Sequence, residues 1–256
     1  VPAQQATKPA PLPDTAAARD RARSEAVYKT PASTSTAGKN ELDTFGQVDT
    51  GDVLRSMPGT ATRENVNNPG IAVNIRGFEG SGRVNMMIDG VRQNFRFVGH
   101  EARGFLYVDE ALLAGVDIVR GTVITTGGAG ALVGTANFRT LDVDDIIKPG
   151  QYSGALSSAM WGSHGVGWSE RAAAGVRNNV VGFAGAVSKR DQGNFENGDG
   201  IRVPFTDRET WSGLFKGYLR PTVDSKLSVS GVFYDSDFTA NSYLQNINVQ
   251  TFSMGY

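Results

Sequence analysis

The sequence contains no cysteine and only two histidines, His100 and His164. The absence of cysteine excludes a disulfide framework and a thiolate metal site, although it says nothing against an envelope location. With so few histidines there is no evident nucleophile–base pair, and no pair of carboxylates stands out along the chain. We therefore predict neither an enzyme nor a catalytic residue or catalytic cofactor.

Long apolar runs and a strong net charge are also missing. No run of about 18 apolar residues occurs, which excludes a membrane-spanning helix. A spanning β-strand needs only about 10 residues of alternating character, so a barrel is not excluded. The formal net charge is −1, so the chain has no positive overall electrostatic field that would attract nucleic acid. With 256 residues, the chain can form one or two domains and bury a real core.

Between residues 70 and 140 the chain consists of short apolar runs interrupted by glycine. These runs are Ile75–Phe78, Arg83–Val91, Val116–Gly121, the glycine-rich Gly127–Gly134 and Ala136–Thr140. The pair Asp89-Gly90 separates two apolar stretches and is typical of a tight hairpin turn. The pattern predicts small strands joined by tight turns.

Two short helices are predicted in and before this region. The first covers Asp49–Gly59, with Asp49 or Thr50 as its N-cap. The second covers Val108–Leu113 and ends before Gly115. Together with the strands, these helices predict a compact α+β domain.

The order of the glycine-interrupted runs resembles the plug domain of TonB-dependent outer-membrane receptors. Within that family it is most similar to receptors that import heme, including those fed by secreted hemophores. The resemblance covers residues 42–150 closely and the remainder more loosely. Thr122 and Val123 stand where the commonest family pattern has a proline, a departure that heme-type members tend to show. The resemblance implies a plug domain at residues 41–150 that gates a barrel and presents an axial heme ligand.

Residues 151–256 have a different sequence pattern from residues 70–140, because apolar and polar residues alternate along several stretches. Phe183, Phe215 and Phe233 lie on the apolar faces of three of them. This alternation predicts antiparallel strands whose apolar face packs on a second sheet in a soluble sandwich or faces lipid in an outer-membrane barrel. Short connections at 177–179 and 220–224, against a long polar stretch at 189–209, favour the barrel.

About five strands fit between Gln151 and Asp237. Five strands cannot close around a domain the size of the plug, and lipid does not tolerate an open sheet edge. Barrels with a plugged lumen have about 22 strands. We therefore expect an α+β plug followed by the first strands of an incomplete antiparallel transmembrane β-barrel, as the N-terminal portion of a longer receptor.

Residues 1–40 are rich in Ala, Pro, Thr and Ser. Such a composition buries too little apolar surface to offset its ordering entropy, so we expect a flexible periplasmic segment. A brief strand-forming stretch inside it consists of Glu25, Ala26, Val27 and Tyr28. The resemblance implies that a segment of this kind, the TonB box, pairs with the energy-transducing protein TonB, and strand addition suits an exposed peptide. A plain linker is the alternative.

His100 lies in a stretch without clear periodicity, which predicts a loop. Aromatic and basic residues surround it, namely Arg92, Phe95, Arg96, Phe97, Arg103 and Phe105. The resemblance implies that His100 ligates the heme iron, while the phenylalanines lie against the porphyrin and the arginines pair with its propionates. The alternative is a surface histidine in a basic loop, with the phenylalanines packed into the plug or the barrel wall. His164 matches no ligand position and is predicted to be a solvated loop histidine; a second axial ligand is expected beyond Tyr256.

The leading hypothesis is a TonB-dependent outer-membrane receptor that imports heme, either free or from a hemophore or host hemoprotein. Heme is then a transported substrate. TonB with its inner-membrane complex and the outer-membrane lipid are the other partners, and nucleic acid is not one. A receptor for a ferric siderophore is the first alternative, and a soluble β-rich binding module is the second.

Overall fold

A computed structural model describes residues 16–29, 32–45, 49–63, 67–80, 82–94, 104–122, 128, 130–222, 224–240 and 243–256. Two bodies follow one another along the chain: a mixed α and β body, called the plug below, and a long antiparallel sheet, called the wall. Within the described ranges, no helix has the length and apolar character needed to cross a membrane.

Within its described residues, the plug contains four helices and one 3-10 turn. The helices are α1 (Ala16–Lys29), α2 (Lys39–Phe45), α3 (Thr50–Ser56) and α4 (Val143–Ile146), and the 3-10 turn is Glu110–Leu112. Asp49 caps α3, because its carboxylate accepts a hydrogen bond from the Gly51 amide at 2.8 Å. This confirms the first predicted helix and its cap.

The second predicted helix, Val108–Leu113, is wrong in extent. Only a 3-10 turn forms, and a strand begins at Leu113. Leu113 and Val116 are buried in the plug core, and the strand that carries them pairs with residues 134–140. Tertiary pairing therefore converts the predicted end of a helix into sheet, and Gly115 lies inside that strand.

In the part of the plug that the structure describes, eight strands build two sheets. They are β1 (Ser33–Ala37), β2 (Thr60–Thr62), β3 (Val73–Ile75), β4 (Phe78–Glu79), β5 (Val84–Ile88), β6 (Val91–Arg92), β7 (Leu113–Arg120) and β8 (Gly134–Thr140). One sheet has the order β1-β7-β8-β5-β6, with β5 and β8 parallel, and the other has the order β2-β3-β4. Asp89 and Gly90 join β5 to β6 with φ values of 50° and 82°, as a type I′ turn requires. The predicted Asp-Gly hairpin is confirmed.

The structure differs from the expectation of a flexible segment over residues 1–40. Residues 16–29 form α1, and β1 pairs with β7 from Ser33–Arg120 to Ala37–Val116. The helix buries no residue, and ion pairs hold it to the plug: Arg19 contacts Asp144, and Asp20 lies 3.5 Å from Arg139. The compositional argument counted apolar burial alone, whereas ion pairs hold residues 16–29 and strand pairing at a sheet edge holds residues 33–37.

The wall is a six-stranded antiparallel sheet in chain order. Its strands are β9 (Ser153–Gly162), β10 (Gly167–Arg177), β11 (Val181–Gln192), β12 (Arg208–Thr222), β13 (Ser225–Ala240) and β14 (Tyr243–Gly255). Five of them end by Ala240, in agreement with the predicted number, and β14 is a sixth. The end of the wall with the connections 178–180 and 223–224 is called the near end, and the end with the connections 163–166 and 193–207 is called the far end.

The two faces of the wall differ in chemistry. The outward face carries exposed apolar side chains, such as Phe183 at 54% and Phe252 at 57% exposure. Phe233 bridges two further rings on this face, with centroids 6.1 Å from Phe215 and 5.5 Å from Phe252. The inward face packs on the plug. A sandwich would bury the phenylalanine face against a second sheet, so the observed exposure favours a barrel wall.

The inward face joins the plug in one apolar core. Wall residues pack with plug residues in this core; the buried wall residues are Ala173, Ala184, Ala186, Leu214, Tyr218 and Val232. Helix α4 lies against β9, β10 and β11 at the near end. The plug is therefore held against the wall by apolar contacts, in addition to the covalent connection between α4 and β9.

Candidate functional site

The predicted ligand residues fall partly outside the described ranges. His100, Phe95, Arg96, Phe97 and Arg103 lie there, so their predicted roles stay predictions. Arg92 is described at the end of β6, where its side chain is exposed beside Gly128 and Gly130.

Phe105 is described as well and is buried in this structure, while its predicted contact with heme stays a prediction. It is 3% exposed, and its ring centroid lies 6.3 Å from that of Tyr107. Both rings belong to an apolar cluster that joins the plug to the wall, with Tyr234, Phe238, Ala240 and Ile247 as wall members. Phe105 is therefore a packing residue in this structure, which is the alternative that the sequence had left open.

The described residues of the plug in this apolar cluster include Phe105 and Tyr107, which follow the stretch 95–103 along the chain. Leu106 and Ile71 exchange two backbone hydrogen bonds of 2.8 and 2.9 Å just after that segment. Phe238 and Ala240 end β13 at the far end of the wall. Tyr107 is fixed beside them by donating a hydrogen bond to Asn68 Oδ1 at 3.1 Å, and burial raises the pKa of this phenol to about 12. The described residues 104–107, called below the anchor of the His100 segment because they directly follow it along the chain, thus lie at the far end.

His164 occupies the far-end connection between β9 and β10. Its side chain is 71% exposed, with Nε2 at 3.9 Å from Glu196 Oε2 and Nδ1 at 2.8 Å from Ser163 Oγ. It therefore has the solvated environment that its sequence context predicts.

A cavity of about 250 Å³ opens at the far end between the two bodies. The plug contributes Asn68 and Glu110 to its lining, and the wall contributes His164, Phe195 and Arg208. Gly70 also lines it and lies against Phe105, so the cavity adjoins the anchor of the His100 segment. The sequence could not indicate this cavity, because its two sides come from distant parts of the chain.

Four basic residues on the inward face of the wall each contact an acceptor on the plug. They are Arg171, Arg177, Arg190 and Lys216. Sequence reasoning missed them. The sequence did contain a signal for them. Each lies on the side of an alternating strand where the other side chains are small or polar, opposite the apolar side that faces outward.

Arg190 forms the most buried of these contacts. Its Nη2 lies 3.4 Å from Asp109 Oδ1 and 3.2 Å from Glu110 Oε2. The side chains of Arg190, Asp109 and Glu110 are 4%, 1% and 13% exposed. Burial raises the pKa of Glu110, and the charge of Arg190 acts in the opposite direction. Asp109 also caps the 3-10 turn through the Ala111 amide at 2.9 Å. This turn is therefore fastened to β11 by charge.

Lys216 connects β12 to the plug hairpin. Its Nζ lies 3.1 Å from Asp89 Oδ2 and donates to the Thr140 carbonyl at 3.0 Å. Asp89 accepts further hydrogen bonds from the Thr140 amide at 2.9 Å and the Thr140 hydroxyl at 2.6 Å. The contact thus links the β5–β6 turn, the end of β8 and the wall.

A third ionic contact lies at the near end. Asp144 in α4 contacts Arg19 of α1 and Arg177 of β10 at once. Asp142 and Asp145 form a capping box around the same helix, and burial raises the pKa of Asp145 to about 6. Asp144 therefore joins the N-terminal helix, the plug and the wall. Among the residues that the structure describes, no three His, Asp or Glu side chains are grouped so as to hold a metal ion.

Comparison with known proteins gives consistent matches for both bodies. The family model TonB-dependent Receptor Plug Domain matches residues 26–135. A probable TonB-dependent receptor of Haemophilus influenzae is 35% identical over 144 residues, which cover 53% of this chain and 16% of that protein. A hemin receptor of Yersinia enterocolitica is 35% identical over 202 residues, which cover 78% of this chain and 28% of that protein.

A solved structure extends the match to the wall. It is a double mutant of the Serratia marcescens hemophore receptor HasR in complex with its hemophore HasA and heme. The TM-score is 0.82 with 29% identity, over 89% of this chain and 35% of that chain. The sequence given thus spans about a third or less of the lengths of these relatives.

Proposed function

Because this chain belongs to the TonB-dependent receptors, with a plug domain followed by antiparallel strands of the barrel wall, we propose that it is part of an outer-membrane transporter that imports heme. The observation that carries the proposal is the structural match to a receptor solved with its hemophore and heme, which includes the plug and the wall together. The hemin receptor of Yersinia supports the same substrate over 78% of the chain. Heme is the cargo, and the protein performs no chemistry on it.

The surface of the wall supports an outer-membrane location. Its exposed apolar face suits lipid, and such barrels carry aromatic residues where lipid meets water. Trp161, Trp168 and Trp211 are 70%, 45% and 53% exposed, and all three lie toward the far end. We place the far end outside the cell and the near end, together with α1, in the periplasm.

The proposed substrate site lies at the far end. His100 is the proposed axial ligand of the heme iron, because a neutral imidazole is a good ligand for it. The far-end cavity of about 250 Å³ adjoins the described anchor of the His100 segment and provides a place for the substrate to enter. Arg92, Phe95, Arg96, Phe97 and Arg103 remain proposed contacts, while a hemophore or hemoprotein would deliver the heme.

Growth on heme tests the substrate. In a strain that lacks other heme receptors, we expect the complete receptor to restore growth when heme is the sole iron source. Growth on a ferric siderophore should not depend on it. The reverse dependence would contradict heme import and favour a siderophore receptor.

The proposed TonB-interacting segment is Glu25–Tyr28. It lies in the last turns of α1, with Tyr28 at 91% exposure, and is not extended as predicted. Strand addition to TonB would require this end of α1 to unwind. Unwinding this end of α1 exposes no buried side chain, because α1 buries no residue.

Replacement of Val27 by proline tests this segment. Proline removes a backbone donor that an added strand needs. We expect heme uptake by the complete receptor to fall at least about tenfold while heme binding at the cell surface is retained. The matched control is Arg21→Pro, which also interrupts α1 but lies outside the segment. An equal loss of uptake in both variants would assign the effect to the helix.

A further inference from the structure

A second cavity lies between the plug and the wall at the near end. Its volume is about 200 Å³. Its lining is mostly polar and includes Asp89, Asp142, Lys216, Ser228, Ser230 and Ser253. The two aspartates belong to the plug, and the others come from β12, β13 and β14. Two carboxylates face the wall here across a row of hydroxyl groups.

The polar lining distinguishes this part of the interface from the rest. On the side of α4, the plug meets Ala173 and Ala184 in the apolar core. On the cavity side, Ser230 Oγ and Ser253 Oγ lie 2.7 Å apart and replace apolar packing. Separating apolar surfaces exposes them to water at a cost that grows with their area, whereas hydroxyl and charged groups exchange their partners for water. The plug–wall interface should therefore separate most readily beside Ser228, Ser230 and Ser253.

The cavity is closed toward the far end. The next inward residues of β13 after Ser230 are Val232 and Tyr234, each 4% exposed. The ring of Tyr234 lies 5.9 Å from that of Tyr107, within the same apolar cluster that holds Phe105. The cavity thus ends below the plug–wall cluster that anchors the His100 segment.

We propose that this cavity is the exit by which the substrate passes the plug, and that the contact of Asp89 with Lys216 is the latch that keeps it shut. The proposal rests on the proposed transport function and adds the route and the moving side of the plug. When the latch separates, the β5–β6 turn moves away from β12, while α4 stays seated on β9–β11. The Phe105–Tyr107–Tyr234 cluster must part in the same movement.

Reversible crosslinking in the complete receptor tests the route. The chain has no cysteine, so introduced thiols have no competitor within it. Asp89→Cys with Lys216→Cys places two thiols across the cavity. Asp144→Cys with Arg177→Cys removes another plug–wall ion pair at the near end, on the side of α4, and is the matched control. Both pairs are joined with a short, reducible bifunctional thiol reagent.

We expect the crosslink across the cavity to lower heme uptake at least tenfold, and reduction to restore it. The crosslink beside α4 should leave uptake at the level of the same variant before crosslinking. Unchanged uptake with the crosslink across the cavity would overturn the proposal. An equal loss of uptake with the crosslink beside α4 would also overturn it, because transport would then require the whole plug to leave the wall. Heme binding and uptake of the unmodified receptor are measured separately, so a failure of heme transport itself is distinguished from a wrong route.

Discussion

Replacing His100 by alanine in the complete receptor is expected to lower its affinity for heme about 100-fold, which corresponds to about 2.8 kcal/mol. The proposed reason is the loss of an axial ligand, because the alanine side chain has no nitrogen atom that can bind the iron. The Soret band of bound heme should shift as the coordination of the iron changes. Titration of the purified receptor with heme, followed by absorbance, gives the affinity and the spectrum together.

The control for this prediction is His164→Ala. His164 also lies at the far end, but its exposed ring is engaged by Ser163 and lies near Glu196. His164 lines the far-end cavity but is not proposed to bind the iron, so we expect its removal to leave the Soret band unchanged. An unaltered spectrum and affinity in the His100 variant would show that the ligand assignment is wrong. A shift produced by both variants would point to a disturbed far end and not to a ligand.

Replacing Arg190 by alanine is expected to destabilise the seating of the plug by about 3–5 kcal/mol, because it removes the cation that pairs with the buried carboxylates of Asp109 and Glu110. The Asp109 side chain is 1% exposed and cannot recruit water in compensation. The free energy of plug unfolding can be measured by urea titration of the purified receptor, with tyrosine fluorescence as the signal.

Lys189→Ala is the matched control for Arg190, because the neighbouring residue points to the other face of β11. Lys189 pairs with Glu209 at 3.2 Å near the surface, and such pairs contribute about 0–1 kcal/mol. Burial already raises the pKa of Glu110, and without Arg190 that pKa should rise further. The folded state then binds more protons than the unfolded state, so the loss of stability should shrink as the pH falls through this pKa. A loss equal to that of Lys189→Ala would contradict the structural role of Arg190.

The local features of this protein were accessible from the sequence. Asp49 caps α3, and Asp89-Gly90 forms the hairpin turn, because both depend on atoms a few residues apart. The alternation in residues 151–256 predicted strands with an apolar outward face, which Phe183 and Phe233 bear out. The order of motifs also identified the receptor family, which the plug match confirms.

Contacts between distant residues were decided by the tertiary structure. Arg190 and Asp109 are 81 positions apart, and Arg19 and Asp144 are 125 apart. Neither periodicity nor local propensity indicates which carboxylate of the plug pairs with which cation. For the same reason, the sequence did not predict the ordering of α1 or the polar cavity beside Ser230. The sequence by itself determined the strands, turns, caps and family, since these follow from neighbours along the chain. Only the folded molecule decided how the plug is seated, because that depends on charges and surfaces that folding brings together.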